Sequence, residues 1–489
     1  MPEVRATEIY EANIGLEVHA QLKTASKIFC GCRVEYGAQP NSLTCPVCLG
    51  LPGTLPVLNK KAVEYAVMMI LAVGGEVQNH SVFARKNYFY PDLPKGYQIT
   101  QFNHPLGIGG KINIAVNESN NAKAIRIKRI HLEEDAGKLI HSETGENCSR
   151  IDYNRCGVPL IEIVSEPDIA SPAEAYNYLL KLRQVLQYLG ICTGDMEKGH
   201  LRCDANVSVH PKGSTELGIR TELKNLNSFK FVEKALEYEI ERQVEVILSG
   251  HRVEQCTMLW DEKRQAAEIM RTKEESEDYR YFPEPDLPPL VIPEKQIELW
   301  RTELPELPEA RYSRFMEQFG LSGYDSGILT ESRGLADYFE AVMKEYSDAK
   351  TAANRIINDV LMLLNERKTD IGEFRVNPVM LTELLNLVQS GEISGNMAKD
   401  ILPQMADSGK TAGDIIKDRG LFQINDYESI AYIVNSVLDD EEDNVRKYLS
   451  GKEQLFDYFV GQVMKKSKGR ANPELVNKIL REKLNELAG

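Results

Sequence analysis

The amino-acid sequence predicts an α+β protein. A mixed-sheet domain is expected over residues 1–292, an all-helical domain over 293–408 and a small all-helical tail over 409–489. Three observations carry this reading. Several stretches of the first part alternate polar and apolar side chains with the period of two that a strand imposes. Seven of the chain's 22 prolines then crowd between Pro283 and Pro308, a composition that breaks regular structure and marks a boundary. Beyond it the apolar residues recur at helical spacing, most clearly over 312–319, 334–346 and 351–367.

At 489 residues the chain is too long for one core. Hydrophobic residues make up 42% and charged ones 27%, the balance of a globular protein. No apolar run approaches the roughly 20 residues of a membrane span. The first nine residues hold no apolar signal core, so a cytoplasmic protein without membrane contact is expected. A net charge of −15 argues against nucleic-acid binding by the whole surface, though not by a local basic patch.

The elements follow in order. Over 14–22, Ile14, Leu16, Val18, Ala20 and Leu22 face one side of a strand. Glu17, His19 and Gln21 face the other, and a Glu-x-His pair on one face is a handle for a metal or a phosphate. Next come Cys30-Gly31-Cys32 and Cys45-Pro46-Val47-Cys48, four of the nine cysteines. Two close pairs at this separation fit a four-thiolate zinc site with no open position, a structural staple. Asn59 caps a helix that stops at Gly74-Gly75. Residues 84–98 interleave basic and aromatic side chains on a loop, which suits stacking on a base as well as packing beneath the loop.

Residues 130–138 read I-H-L-E-E-D-A-G-K. Three consecutive acids on a strand cannot all face the same way, so at least one is pushed toward what the sheet covers and needs a cation. A hard ion such as Mg²⁺ is held by one or two carboxylates together with phosphates. Glu162 stands alone in the apolar run P-L-I-E-I-V and also calls for a cation. Ser171-Pro172-Ala173-Glu174 is a capping box that opens a helix ending at Gly190. Over 201–209, Arg202, Asp204, Asn206 and Ser208 share one strand face, and Glu222 and Lys224 share another before a helix over 229–248. Several strands with one ionic face build a single polar surface, the usual form of a binding cleft. Gly409-Lys410-Thr411 is not a phosphate loop, since Gln404 occupies the position of the required glycine, and no G-x-G-x-x-G occurs. Residues 461–483 carry seven bases against Glu474 and Glu482, and Asn472-Pro473 opens the last helix. Such a basic segment in an acidic chain points to phosphate contacts.

The strings I-G-L-E-V-H-A-Q-L, R-K-N-Y-F-Y-P-D-L-P-K-G-Y-Q, H-L-E-E-D-A-G-K, P-L-I-E-I-V-S-E-P-D, L-R-C-D-A-N-V-S, E-L-K-N-L-N-S-F, D-Y-R-Y-F-P-E-P-D and V-G-Q-V-M-K-K-S-K-G-R-A-N-P closely resemble the GatB family, the B subunits of the aspartyl/glutamyl-tRNA(Asn/Gln) amidotransferases. The resemblance spans essentially the whole chain. It implies a cradle-like first domain, distantly like glutamine synthetase, and ATP-dependent amidation of Glu-tRNA(Gln) and also Asp-tRNA(Asn). By position, the family's Mg²⁺ and kinase-site residues fall on Glu17, His19, Glu134 and Glu162. Lys86 and Asp204 match further residues of that cleft, and with Arg202 they are assigned to the nucleotide. Lys465, Lys466, Lys468 and Arg470 are assigned to tRNA, and Cys30, Cys32, Cys45 and Cys48 to zinc. The chain has no glycine-flanked Ser-Ser pair of an amidase and no glutaminase triad, so ammonia must come from a partner. The resemblance implies a heterotrimer in which the partners are the amidase, or A, subunit plus the small C subunit. The competing reading is a catalytically silent, zinc-stapled protein that docks tRNA beside an enzyme.

Overall fold

The computed structural model describes residues 9–115, 122–141, 148–272, 279–419, 424, 426–467 and 469–488. Two compact units result, Met1–Pro308 and Glu309–Gly489. The sequence alone puts the first break at 292/293. The Glu294–Thr302 helix nevertheless belongs with the sheet, because Ile297 and Trp300 bury in the sheet's core.

The first unit is built on a ten-stranded sheet. Its spatial order is Ala266–Thr272, Cys256–Asp261, Thr221–Leu226, Leu201–Pro211, Tyr10–Gln21, Pro159–Ser165, Ala122–Glu134, Gly107–Ile108 and Glu76–Val77. Lys111–Ala115 also pairs with the Ala122–Glu134 strand. Neighbours run antiparallel except Thr221–Leu226 and Cys256–Asp261, which are parallel, so the sheet is mixed. The alternation over Tyr10–Gln21 decides its place at the centre. Ile14, Leu16, Val18 and Ala20 are fully buried, each of the larger side chains contributing about 1.5–3 kcal/mol.

The helices Lys60–Ala72, Pro172–Tyr188 and Phe229–Leu248 pack on this apolar side. Each starts where a side chain takes up orphan backbone donors. Asn59 Oδ1 accepts from Lys61 N at 2.9 Å, Ser171 Oγ from Glu174 N at 3.2 Å and Ser228 Oγ from Phe231 N at 3.1 Å. The Glu174 carboxylate reaches back to Ala170 N at 2.8 Å, one residue before the N-cap, a variant of the expected capping box.

The opposite face of the sheet is ionic, and register makes it a site. His19 stands opposite Arg202 on one side and Glu162 on the other, while Glu162 stands opposite His131. Arg202, His19, Glu162 and His131 thus form one row across four strands, since directly opposed residues share a face. Glu17 pairs with Asp204 in the next row.

The second unit is helical and holds two apolar clusters. One runs from Phe315 to Ile416 and the other from Ile430 to Leu484. The Ala412–Arg419 helix buries Ala412, Ile415 and Ile416 in the first cluster, so that cluster extends past the expected break at 408/409. Gly409 ends the Gly395–Ser408 helix in a left-handed conformation at φ 71°, a terminator rather than a phosphate cradle. Among the described residues no helix is long and apolar enough to cross a membrane.

Candidate active site

Three side chains converge on the polar face. His19, Glu133 and Glu162 each offer one ligand atom, and these atoms lie within 4.8 Å of one another. His19 Nε2 stands 3.5 Å from Glu133 Oε1 and 3.3 Å from Glu162 Oε2. His131 Nε2 lies 3.6 Å from Glu162 and 3.8 Å from Glu133, and Arg129 lies 3.6 Å from Glu162. Burial alone would push the His19 pKa down. The hydrogen bond to Glu162 and the charges of Glu133 and Glu162 outweigh it and push the pKa up to about 9. Burial likewise works against the Glu162 carboxylate, yet His131, His19 and Arg129 hold it well below the usual range.

Two carboxylates and a ring nitrogen at one point are a donor set for a hard divalent cation. Such an ion would displace the His19 proton and occupy its place between the same acids. The surroundings fit a cation and a phosphate. Glu17 is raised by burial and by the charges of Glu162, Glu222 and Asp204, which marks a surplus of acid on this face. The buried Arg129 Nε and His131 Nδ1 have no hydrogen-bond partner among the described residues, and both can serve a polar ligand.

The structure separates Glu134 from this group. Strand periodicity sends Glu133 to the ionic face and Glu134, two residues after buried Leu132, to the opposite one. There Glu134 Oε1 receives the Lys95 ammonium and the Ile99 N–H at 2.8 Å, and its side chain is almost fully buried. The place expected for Glu134 is held by its neighbour. Counting by two from the apolar Ile130 and Leu132 is the signal that chooses between them. Asp135 returns to the ionic side, bound by Arg202 at 2.8 Å and by Gln21 at 2.9 Å. Burial opposes its charge, but Arg202 and Arg155 hold its carboxyl below the usual range.

The remaining predicted residues flank the cluster. Glu17 accepts from Asn206 Nδ2 at 3.1 Å. Asp204 receives Lys224 Nζ at 2.5 Å, and the same ammonium lies 3.0 Å from Glu222. Lys86 does not join the carboxylates: its ammonium sits over the Tyr279 ring, 4.7 Å from the centroid, and 5.8 Å from that of Tyr88. Tyr88 and Tyr281 border the cluster. Burial and the Glu133 charge both raise their phenols, with Glu162 adding to Tyr281, which reaches about 12. Sequence reasoning missed His131 and Arg129, and put Lys224 on the ionic surface without its partner, because these pairings depend on which strands become neighbours.

The four cysteines gather as their spacing predicts, with Cys30, Cys32, Cys45 and Cys48 sulfurs all within 4.8 Å of one another. The loop that carries them is tied at its return: Val57 N donates to Phe29 O at 3.0 Å and Asn59 N to Ile28 O at 2.8 Å. The neighbouring Cys48 sulfur raises the Cys30 thiol, and Cys30 in turn lowers Cys48. Four sulfur donors at this spacing fit a tetrahedral zinc ion.

Lys465 and Lys466 close the Leu455–Lys466 helix, and Arg470 follows it. Lys465 is exposed. Lys466 Nζ is engaged by Asp440 at 2.6 Å and Ser436 at 2.7 Å, and Arg470 Nε donates to Ser467 O at 3.4 Å. Lys468 lies outside the described residues.

Comparison with known families agrees with the strings quoted from the sequence. A model described as the GatB/GatE catalytic domain matches residues 12–298, and a GatB domain matches 337–484. The chain belongs to the GatB family. Proteins named as the B subunit of aspartyl/glutamyl-tRNA(Asn/Gln) amidotransferase are similar to this family member throughout. That of Thermodesulfovibrio yellowstonii is 54% identical over 477 residues, 98% of this chain and 100% of the relative. That of Moorella thermoacetica is 54% identical over 476 residues, covering 97% and 100%, and that of Carboxydothermus hydrogenoformans 53% over 480 residues, covering 98% and 99%. In this GatB-family chain the ionic row and the four cysteines fall inside the catalytic-domain match, and the basic tail falls inside the second.

Proposed function

We propose that this chain activates the side-chain carboxylate of Glu-tRNA(Gln), and of Asp-tRNA(Asn), with ATP and Mg²⁺, and passes it to ammonia. The observation that carries the reading is the convergence of His19, Glu133 and Glu162 from three neighbouring strands of one ionic face. A side-chain carboxylate is a poor acyl donor because its leaving group would be oxide. Transfer of a phosphoryl group from ATP gives an acyl phosphate, and ammonia attacks its carbonyl carbon with phosphate departing. Mg²⁺ at the cluster would offset charge on the transferring phosphates. Glu133 and Glu162 hold that ion, His19 binds through its neutral nitrogen, and Glu17 and Asp204 line the same face. Arg202, Arg129 and Lys224 supply the positive charge for a polyanionic substrate. Lys86, set on its aromatic partners, reaches the nucleotide rather than the metal.

In this reading the four cysteines hold one structural zinc, and Lys465, Lys466, Lys468 and Arg470 contact tRNA. Ammonia comes from an amidase partner, the A subunit of a complex that also contains a small C subunit. The test is formation of Gln-tRNA(Gln) and ATP turnover by the assembled complex carrying His19→Ala or Glu162→Gln. Both should lose tRNA-dependent ATP turnover while the partner still hydrolyses glutamine. Wild-type amidation by either variant at limiting Mg²⁺ would place the activating site elsewhere.

A further inference from the structure

Behind the four cysteines lies a lysine that neither the ionic face nor the tail explains. Lys27 is fully buried. Its ammonium stands 3.6 Å from Cys48 Sγ and donates to the Tyr153 carbonyl at 3.3 Å. Among the described residues no carboxylate lies at ion-pair distance from it. The two acids that line the same pocket as Lys27 are already matched, Glu134 by Lys95 and Asp286 by Arg85. Gly157 marks the contact, at φ 79°: a Cβ there would lie 3.6 Å from both Cys48 Cβ and Lys27 Cδ, and 3.9 Å from Glu134 Oε2.

Charge decides what Lys27 faces. The Lys95 ammonium is offset by Glu134, which leaves the Lys27 ammonium without a carboxylate of its own among the described residues. A buried cation without a counter-charge is costly, so the surplus positive charge requires an anion at the place Lys27 points to. That place is a cysteine sulfur. Four thiolates around a divalent cation carry a formal surplus of negative charge, and the ammonium beside Cys48 is positioned to offset part of it. The Cys156 thiol donates to the Cys48 carbonyl oxygen at 3.4 Å and holds the same corner from the other side.

We infer that Lys27 is the outer-sphere cation of the four-cysteine centre. It donates to the Cys48 sulfur, neutralises part of the thiolate charge and strengthens zinc binding. The inference rests on the reading of Cys30, Cys32, Cys45 and Cys48 as a zinc site, and its test separates the two. The full-length chain is stripped of metal, and Zn²⁺ affinity is measured by competition with a chromophoric chelator. Lys27→Met keeps the length and apolar stem but removes charge and donor. It should bind Zn²⁺ about 10–100-fold more weakly, the usual cost of losing an outer-shell partner. Lys27→Arg should stay nearer to wild type than Lys27→Met. With Co²⁺ in place of Zn²⁺, Lys27→Met should keep a four-sulfur spectrum but shift its sulfur-to-metal charge-transfer band, a change that mere loosening of the core would not produce. In a Cys48→Ala background Lys27→Met should add little further loss, because its acceptor is gone. An unchanged Zn²⁺ affinity in Lys27→Met overturns the inference. So does an equal loss with Cys48→Ala already present, or a Lys27→Met chain that fails to fold at saturating Zn²⁺. A folded wild-type chain that takes up no Zn²⁺ overturns the zinc site itself.

Discussion

The ionic face of the sheet and the basic tail are both charged, but their charges are held in different ways. On the sheet, His19, Glu133 and Glu162 project from strands whose other face is pinned in the core, and their relative positions are set by backbone register. In the tail, Lys465 and Lys466 extend from a helix surface, and Lys466 is already paired with Asp440 of the Tyr427–Asp440 helix. The first arrangement orders charges before any ligand arrives, which is what catalysis on a polyanion requires. The second keeps exposed, screened charges that suit loose contact with a phosphate backbone. A mutation on the sheet should therefore alter chemistry or stability sharply, whereas one in the tail should alter affinity by degrees.

The largest effect should come from Glu133→Gln. ATP-dependent amidation by the complex should fall by about 100-fold or more, the scale of losing one preorganised charge at a reaction centre. The thermal midpoint should fall less than in Glu134→Gln, since only part of the charge facing His19 is lost, and tRNA binding should persist. The neighbouring substitution Glu134→Gln should behave in the opposite sense. It strands the buried Lys95 ammonium, so the first unit should lose about 3–5 kcal/mol in denaturant titration. Catalysis per folded molecule should be far less affected. Equal catalytic losses with unchanged stability in both variants would erase the distinction between the two faces of that strand.

Metal removal is the next test in size. Purified chain should contain about one zinc, as a single four-thiolate site requires. At free zinc about a thousandfold above its Kd, the centre adds about 4 kcal/mol to stability, and chelation should remove it as a drop in the unfolding midpoint. A chain that keeps its midpoint after complete zinc removal would show that the loop does not depend on the staple.

The tail comes last. Replacing Lys465, Lys466, Lys468 and Arg470 together by alanine should weaken tRNA binding and flatten its salt dependence, by up to about 0.9 in the log–log slope for each phosphate no longer neutralised. ATP turnover at saturating tRNA should change little. Among single variants Lys465→Ala should cost more affinity than Lys466→Ala, since the Lys466 ammonium is shared with Asp440. Loss of that exposed pair should cost at most about 1 kcal/mol of stability. A tRNA affinity untouched by the quadruple substitution would remove the tail from the interface.

Much of this architecture is legible in the sequence because it follows from local rules. Period two along 14–22 and 201–209 assigns every side chain of those strands to a face. The capping residues Asn59 and Ser171 announce two helices, and paired cysteines locate a metal loop. The helical second part follows from apolar spacing alone. The long strings of residues point to the family without coordinates.

Other features depend on which strands meet and in what register. Nothing in the sequence places His131 opposite Glu162, since they are joined only when the Ala122–Glu134 and Pro159–Ser165 strands pair. The choice between Glu133 and Glu134 turns on one step of a strand, and one step reverses the face. Trp300 shows the same limit at a domain edge: it follows a run of prolines, yet it returns to the sheet's core. Lys466 meets Asp440 across 26 residues, through the packing of two helices that sequence spacing cannot orient. The buried charge of Lys27 was invisible for the same reason. Local periodicity states which way a side chain points relative to its own backbone, while only the assembled fold states what stands there to receive it.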